Sequence, residues 1–196
     1  MQACRLTAEN IACLRGDRLL LSGIGFDCAP GTALHLAGAN GIGKSTLLRV
    51  LAGLMRPYAG TVCATGAIAL ADERLPLDLG RPLGAALGFW RRLDGVAAGA
   101  LPFGLDDLAD VPVRYLSTGQ RKRAGLALAM GSAPIWLLDE PFNGLDAQWT
   151  GVMRALIGEH CAGGGIAVIA SHLPVGLDRF DVLDLAAHVP VADEAG

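Results

Sequence analysis

Charge is scarce in this chain of 196 residues. Lys, Arg, Asp and Glu together make up 18%, against about a quarter in an ordinary soluble chain. Aromatic residues are scarcer, at 5%. Long hydrophobic runs are missing too. A membrane-crossing helix needs about 20 consecutive apolar residues, but the longest candidates here, 135–138 and 166–170, are strand-sized and flanked by polar residues or glycine. Arg5 and Glu9 interrupt the apolar core that a secretory signal needs. The five cysteines (Cys4, Cys13, Cys28, Cys63 and Cys161) are odd in number and include no C-x-x-C pair. That spacing argues against a disulfide framework or a zinc site, and for buried free thiols in a reducing compartment. A net charge of −3 provides no basic face for nucleic acid. The basic clusters 91–92 and 121–123 could each be a solvated helix face, which is the preferred reading of 91–92 alone. What is left is a chain 52% hydrophobic with 27 glycines. It is long enough for one domain with a real core, and the chain is expected to be soluble or peripheral, with part of its apolar surface meeting a partner.

Strand and turn signals alternate along the first third. Residues 5–14 and 18–28 alternate around a Gly16-Asp17 turn, and 32–37 is a short apolar run ending at Gly38. Helical periodicity over 44–54 sets Leu47, Leu48, Leu51 and Leu54 on one face. Residues 61–65 and 67–71 read as two strands across a Gly66 turn. Residues 72–116, rich in Pro, Gly, Leu and Asp, form a small insert with short helices expected at 83–93 and 106–110. Beyond it come a helix at 118–130, a buried strand at 135–138, a helix at 147–160, a buried strand at 166–170 and a further strand at 182–186. Apolar strands alternating with helices predict an α/β fold with a mostly parallel sheet covered on both faces. The last five or so residues read as a tail.

Gly38-Ala39-Asn40-Gly41-Ile42-Gly43-Lys44-Ser45 matches G-x-x-x-x-G-K-[ST], between a short apolar strand and a helix. Glycines let the backbone N–H groups turn inward as an anion nest, and the helix N-terminus adds positive potential. Lys44 is expected to reach the β- and γ-phosphates, Ser45 to hold Mg²⁺, and Thr46 to complete the phosphate contacts. Asp139 and Glu140 end the apolar strand Ile135-Trp136-Leu137-Leu138. In a phosphate-loop protein an Asp there holds Mg²⁺. Glu140 is then placed to polarise water for attack on the γ-phosphate, which favours hydrolysis over phosphoryl transfer.

Leu116-Ser117-Thr118-Gly119-Gln120 precedes the basic run Arg121-Lys122-Arg123 and a helix. Leu-Ser-x-Gly-Gln before a basic helix resembles the signature of ATP-binding cassette (ABC) ATPases. Asp139-Glu140 and the following Pro141-Phe142-Asn143-Gly144-Leu145-Asp146 resemble that family's Walker B motif and D-loop, and His172 resembles its switch histidine. Together with the phosphate loop these stand in the family's order over residues 3–187. The resemblance implies a P-loop NTPase of ABC ATPase type, with an N-terminal antiparallel β part and a small helical subdomain. It implies a single domain over 1–196, with a catalytic core at 1–71 and 134–190 and a reduced helical and signature part at 72–133. It further implies ATP and Mg²⁺ as cofactors and a head-to-tail dimer of two cassettes. Ser117, Gly119 and Gln120 would then bind nucleotide on the partner chain, His172 would contact the γ-phosphate in cis, and Asp146 would line the dimer interface.

The opening Cys13-Leu14-Arg15-Gly16-Asp17-Arg18 and the following leucines are similar to those of the ATP-binding subunit of the haem exporter of cytochrome c maturation. That similarity implies an integral membrane permease, haem-handling proteins as partners, no nucleic acid, and a peripheral place on the cytoplasmic face of the inner membrane. The chain departs from the family pattern in three places. A glutamine is normal after the strand at 67–71, but here stand Asp72, Glu73 and Arg74; Glu73 or Asp72 is the substitute metal ligand. The usual adenine-stacking aromatic is absent, leaving Arg15 or Arg18 to stack or to be solvated. Lys44 and Ser117 are close in sequence, so the subdomain that couples to the membrane is reduced, and the surplus apolar surface is placed on the insert at 72–116. A soluble ABC ATPase acting on DNA or ribosomes would carry a long coiled-coil insert or two fused cassettes. A P-loop kinase would not need Leu-Ser-x-Gly-Gln. A cassette that binds ATP without turnover would not need Lys44, Asp139, Glu140 and His172 together.

Overall fold

The computed structural model describes residues 4–96, 99 and 101–190; the expected tail, residues 1–3 and positions 97, 98 and 100 of the insert lie outside these. In chain order the elements are β1 (Arg5–Arg15), β2 (Arg18–Cys28), β3 (Ala33–Ala37), α1 (Lys44–Leu51), β4 (Ala59–Thr65), β5 (Ile68–Ala71), α2 (Leu83–Leu93), α3 (Thr118–Ala129), β6 (Ile135–Asp139), α4 (Ala147–Ala162), β7 (Ile166–Ser171) and β8 (Asp181–Asp184). Single 3₁₀ turns lie at Pro102–Gly104, Asp106–Leu108, Val113–Tyr115 and Leu185–His188. The helix expected at 106–110 is therefore one tight turn.

Two sheets result. β2, β1 and β4 form an antiparallel sheet, and a five-stranded sheet runs in the order β5-β6-β7-β3-β8, with every pair parallel. The Gly66 turn exists, at φ 100°, but the strands on either side of it part company. β4 pairs with β1, whereas the apolar run of β5 pairs with β6. β4 is almost wholly exposed, while β5 is half-buried, so burial separates what sequence proximity suggested. α1 stops at Leu51, earlier than its periodicity predicts, because Gly53 turns left-handed at φ 71°.

The inner strands explain the apolar composition. Along β6, Ile135 and Leu137 pack with α1 and the antiparallel sheet, while Trp136 and Leu138 pack with α2, α3 and α4. Along β7, Ile166, Val168 and Ala170 face the first cluster, and Ala167 and Ile169 the second. Strands covered on both faces read as unbroken apolar runs. The rest of the apolar excess is not confined to the insert. Leu79, Phe89, Leu93 and Tyr115 are exposed there, but so are Leu54, Met55 and Tyr58 after α1, and Phe180 and Val182 at the β8 edge. Among the described residues no helix is long and apolar enough to cross a membrane.

All five cysteines are free, and Cys4, Cys13 and Cys28 are buried as expected. Cys63 is exposed and Cys161 half-buried. Burial raises the thiol pKa of Cys13 to about 11, and that of Cys28 to about 12. Because the sheet is parallel, the segments after β3, β5, β6 and β7 all leave from one edge. Ligands of open α/β sheets bind at that edge.

Candidate functional site

The loop from Gly38 to Gly43 joins β3 to α1. Gly43 caps α1 at φ 122°, a backbone angle that strains any side chain, and a Cβ there would lie 3.0 Å from Leu21 Cδ1, which would have to give way. Gly41, at φ 81°, has the same backbone requirement. Ile42 packs against Gly38, where an added Cβ would meet its Cγ2 at 3.0 Å. The first turn of α1 carries no acid, which leaves the positive end of its dipole uncompensated. A cleft of about 280 Å³ opens over this turn, lined by Asn40, Gly41, Gly43, Lys44, Ser45 and Thr46 together with Glu73, Glu140 and Asn143.

Lys44 is 6% exposed and folds back into its own loop. Its Nζ donates to the carbonyls of Gly38 at 2.8 Å and Ala39 at 3.3 Å, and pairs with Glu140 Oε1 at 3.2 Å. The other oxygen of that carboxylate, Oε2, accepts from His172 Nδ1 at 2.9 Å and from the His172 backbone N–H at 3.4 Å. A carboxylate on Nδ1 fixes a proton there. Lys44, Glu140 and His172 thus form one chain across the ends of β3, β6 and β7. Glu140 itself sits in the left-handed region, at φ 45°, with its N–H on the Ala170 carbonyl at 2.8 Å. That conformation costs a non-glycine residue about 1–3 kcal/mol and persists only where the surroundings enforce it.

Asp139 is 6% exposed. Its Oδ1 is buried without a hydrogen-bond partner. Burial pushes its carboxyl above the usual carboxylate value; the Ser45 hydroxyl pulls it back, Glu140 adds to the rise, and Lys122 and Arg49 oppose it. After β5, Asp72 is already engaged, accepting from the Arg74 N–H at 2.9 Å and from Arg49 at 3.4 Å. Glu73 instead lines the phosphate-loop cleft. Arg15 reaches the rim of that cleft beside Leu20, while Arg18 borders a neighbouring hollow with Asn40 and Val189.

The remaining expected residues stand apart from this cleft. Ser117 caps α3 in a reciprocal box: its Oγ accepts from the Gln120 N–H at 3.3 Å, and the Ser117 N–H donates to Gln120 Oε1 at 2.8 Å. Gly119 lies against the Gly144 carbonyl, which an added Cβ would approach to 3.2 Å. Asp146 caps α4 by accepting from the Trp149 N–H at 2.9 Å. None of Ser117, Gly119, Gln120 or Asp146 lines the phosphate-loop cleft.

Two residues join the site that sequence reading left out. Asn143 lines the phosphate-loop cleft and also a larger one of about 480 Å³ beside it, together with Glu140 and Lys122. Lys122 turns inward from the basic run and donates to the Asp139 carbonyl at 3.3 Å. Burial lowers its pKa, while Asp139, Glu73, Glu140 and Asp72 hold it up. The signal was there: Lys122 lies one helical turn before the buried Leu126, on the inward face of α3. Arg123 is also not a solvated charge, since it donates to the Phe103 carbonyl at 2.7 Å and stacks on Trp149.

A glycine-rich loop on a helix N-terminus, with acids ending the second strand along and a histidine at the end of the strand between, defines an ATP-hydrolysing cassette of the ABC type. An ABC transporter family model matches residues 21–79. Known proteins place the chain more closely. It is 58% identical over 191 residues to the cytochrome c biogenesis ATP-binding export protein CcmA of Novosphingobium aromaticivorans, covering 97% of this chain and all of that one. It is 47% identical over 194 residues to the protein of the same name from Zymomonas mobilis, covering 96% of this chain and 87% of that one. The fold matches an ABC transporter ATP-binding protein of Pyrococcus furiosus at a TM-score of 0.81, with 23% identity over 95% of this chain and all of that one. It also matches a dimeric ATP-binding cassette bound to ADP and Pi in a post-hydrolysis state, at a TM-score of 0.75 and 20% identity over 92% and 94%. The chain belongs to the CcmA family of ATP-binding export proteins of cytochrome c biogenesis.

Proposed function

We propose that this chain is the ATP-hydrolysing half of a haem exporter serving cytochrome c maturation, docked on an integral membrane permease at the cytoplasmic face of the inner membrane. The observation that carries hydrolysis is the chain Lys44–Glu140–His172 at the ends of three neighbouring parallel strands. With ATP in the cleft, Lys44 leaves Glu140 for the β- and γ-phosphates. Glu140, held at a fixed angle by its backbone, takes a proton from water as general base. His172 keeps Glu140 oriented through Nδ1, and an Nε2–H, as the imidazolium carries, would donate to the γ-phosphate.

Mg²⁺ fits this site. A buried carboxylate oxygen of Asp139 lacks any partner, and the Ser45 hydroxyl is beside it. Ser45 and Asp139 would hold the ion, with Glu73 the third oxygen donor from the segment after β5. Among the described residues no group of three His, Cys, Asp or Glu side chains could hold a metal ion, so substrate phosphates would complete its coordination. The ion would neutralise charge on the phosphates.

The separation of Ser117, Gly119, Gln120 and Asp146 from the phosphate loop supports a second copy, packed head to tail, whose signature closes the first copy's site. The relatives' shared name supports the role in export. In a host lacking this chain, c-type cytochromes should lose covalently bound haem; wild-type protein should restore it and Lys44→Ala should not. Normal haem attachment without the chain would overturn the assignment.

A further inference from the structure

We propose that Arg154, outside the nucleotide cleft, is a positioning residue that sets the separation of Glu140 and His172; this rests on the roles just given to those two. Arg154 sits on α4 and reaches the loops that carry both. Its Nε donates to the Val175 carbonyl at 2.8 Å and its Nη2 to the Pro174 carbonyl at 3.3 Å. These two peptides follow His172 closely. Its guanidinium also stands over the Phe142 ring, 5.5 Å from the centroid. Phe142 is buried two residues beyond Glu140.

One planar cation thus grips the loop after β7 by two carbonyls and the loop after β6 by one ring face. The contact is built from both sides. Gly176 adopts φ 65°, and a Cβ there would lie 2.9 Å from Arg154 Cζ and Nε. Glycine therefore both forms the turn and leaves the guanidinium its place. α4 is itself anchored at its start by the Asp146 cap, so Arg154 projects from a fixed base. An imidazole and a carboxylate 2.9 Å apart on two separate loops need such a brace. Displacing reacting groups by about 1 Å costs as much as 10²-fold in rate.

The test measures turnover and ATP affinity of the assembled exporter carrying Arg154→Met, Arg154→Lys, Gly176→Ala, His172→Ala and the Arg154→Met/His172→Ala pair. Arg154→Met should lower kcat about tenfold and leave ATP affinity within about twofold of wild type, because the phosphate loop is untouched. Arg154→Lys, with one arm of the fork, should recover part of the loss. Gly176→Ala should reproduce the defect from the other side of the contact, which covers the case of an Arg154→Met chain that does not fold. In the His172→Ala background, Arg154→Met should cost nothing further, since residues acting through one another are not additive. Wild-type turnover in Arg154→Met or Gly176→Ala, or losses that multiply in the double variant, would overturn the proposal. Wild-type turnover in His172→Ala would instead overturn the role of the histidine, and the brace with it.

Discussion

Replacing Glu140 by Gln should separate ATP binding from ATP hydrolysis, in opposite directions. Glu140 holds Lys44 at 3.2 Å, with the two side chains only 16% and 6% exposed. At an effective dielectric of about 20, charges at that distance attract by roughly 5 kcal/mol before desolvation is counted. ATP must draw Lys44 away from this partner and bring phosphate charge close to the carboxylate. Gln keeps the shape and an acceptor oxygen but removes the charge, and Lys44 retains its bonds to the Gly38 and Ala39 carbonyls. If about 1.4 kcal/mol of the original attraction is released, ATP affinity rises about tenfold. Loss of a general base lowers turnover by about 10²–10⁴-fold. Titration with a fluorescent ATP analogue and phosphate release on the same preparation read both. Turnover within about threefold of wild type, or weaker ATP binding, would refute the reasoning.

Asp139→Asn should stabilise the nucleotide-free fold. The carboxyl of Asp139 is raised by burial, so the folded state holds that proton more tightly than the unfolded chain, and this group destabilises the fold as pH rises through the carboxylate range. The advantage of Asn should therefore grow from about pH 4 to pH 7, reaching about 1 kcal/mol, or roughly 2–4 °C in Tm; a lower Tm at neutral pH would refute it. Burial lowers the pKa of His160, so its contribution to stability is complete above its ordinary pKa near 6.5 and is lost as pH falls. His160→Phe keeps a ring for the stack on Trp136, where the centroids are 3.7 Å apart, and should show a shallower acid denaturation curve; parallel curves would count against this. A Lys44→Ala chain mixed with a Ser117→Phe chain should regain ATPase activity that neither has alone. About a quarter of the composite sites in random dimers are then intact, and no recovery on mixing would exclude a shared site.

Much of the fold could be read from sequence because it is local. β2 and α2 fall where alternation and periodicity place them, and the runs in β6 and β7 are apolar because both faces are covered. The phosphate loop was legible for the same reason: Gly41, Gly43 and Lys44 act through the backbone of one segment. What was not legible depends on distant segments meeting. Nothing near Arg154 in sequence marks its grip on Val175, and nothing near Glu140 announces a left-handed backbone. Lys122 was not singled out because a basic run gives no direction; the apolar face of α3 is what turns it inward.

The alternation along β6 has a mechanical consequence. This strand is a party wall between two cores, with Ile135 and Leu137 bedded in one and Trp136 and Leu138 in the other. Its last residue is Asp139, with Glu140 next. Cores packed to crystalline density transmit displacement instead of absorbing it. A shift of the helical cluster on one side therefore arrives at the acids as a movement of the wall, with no loop having to relay it.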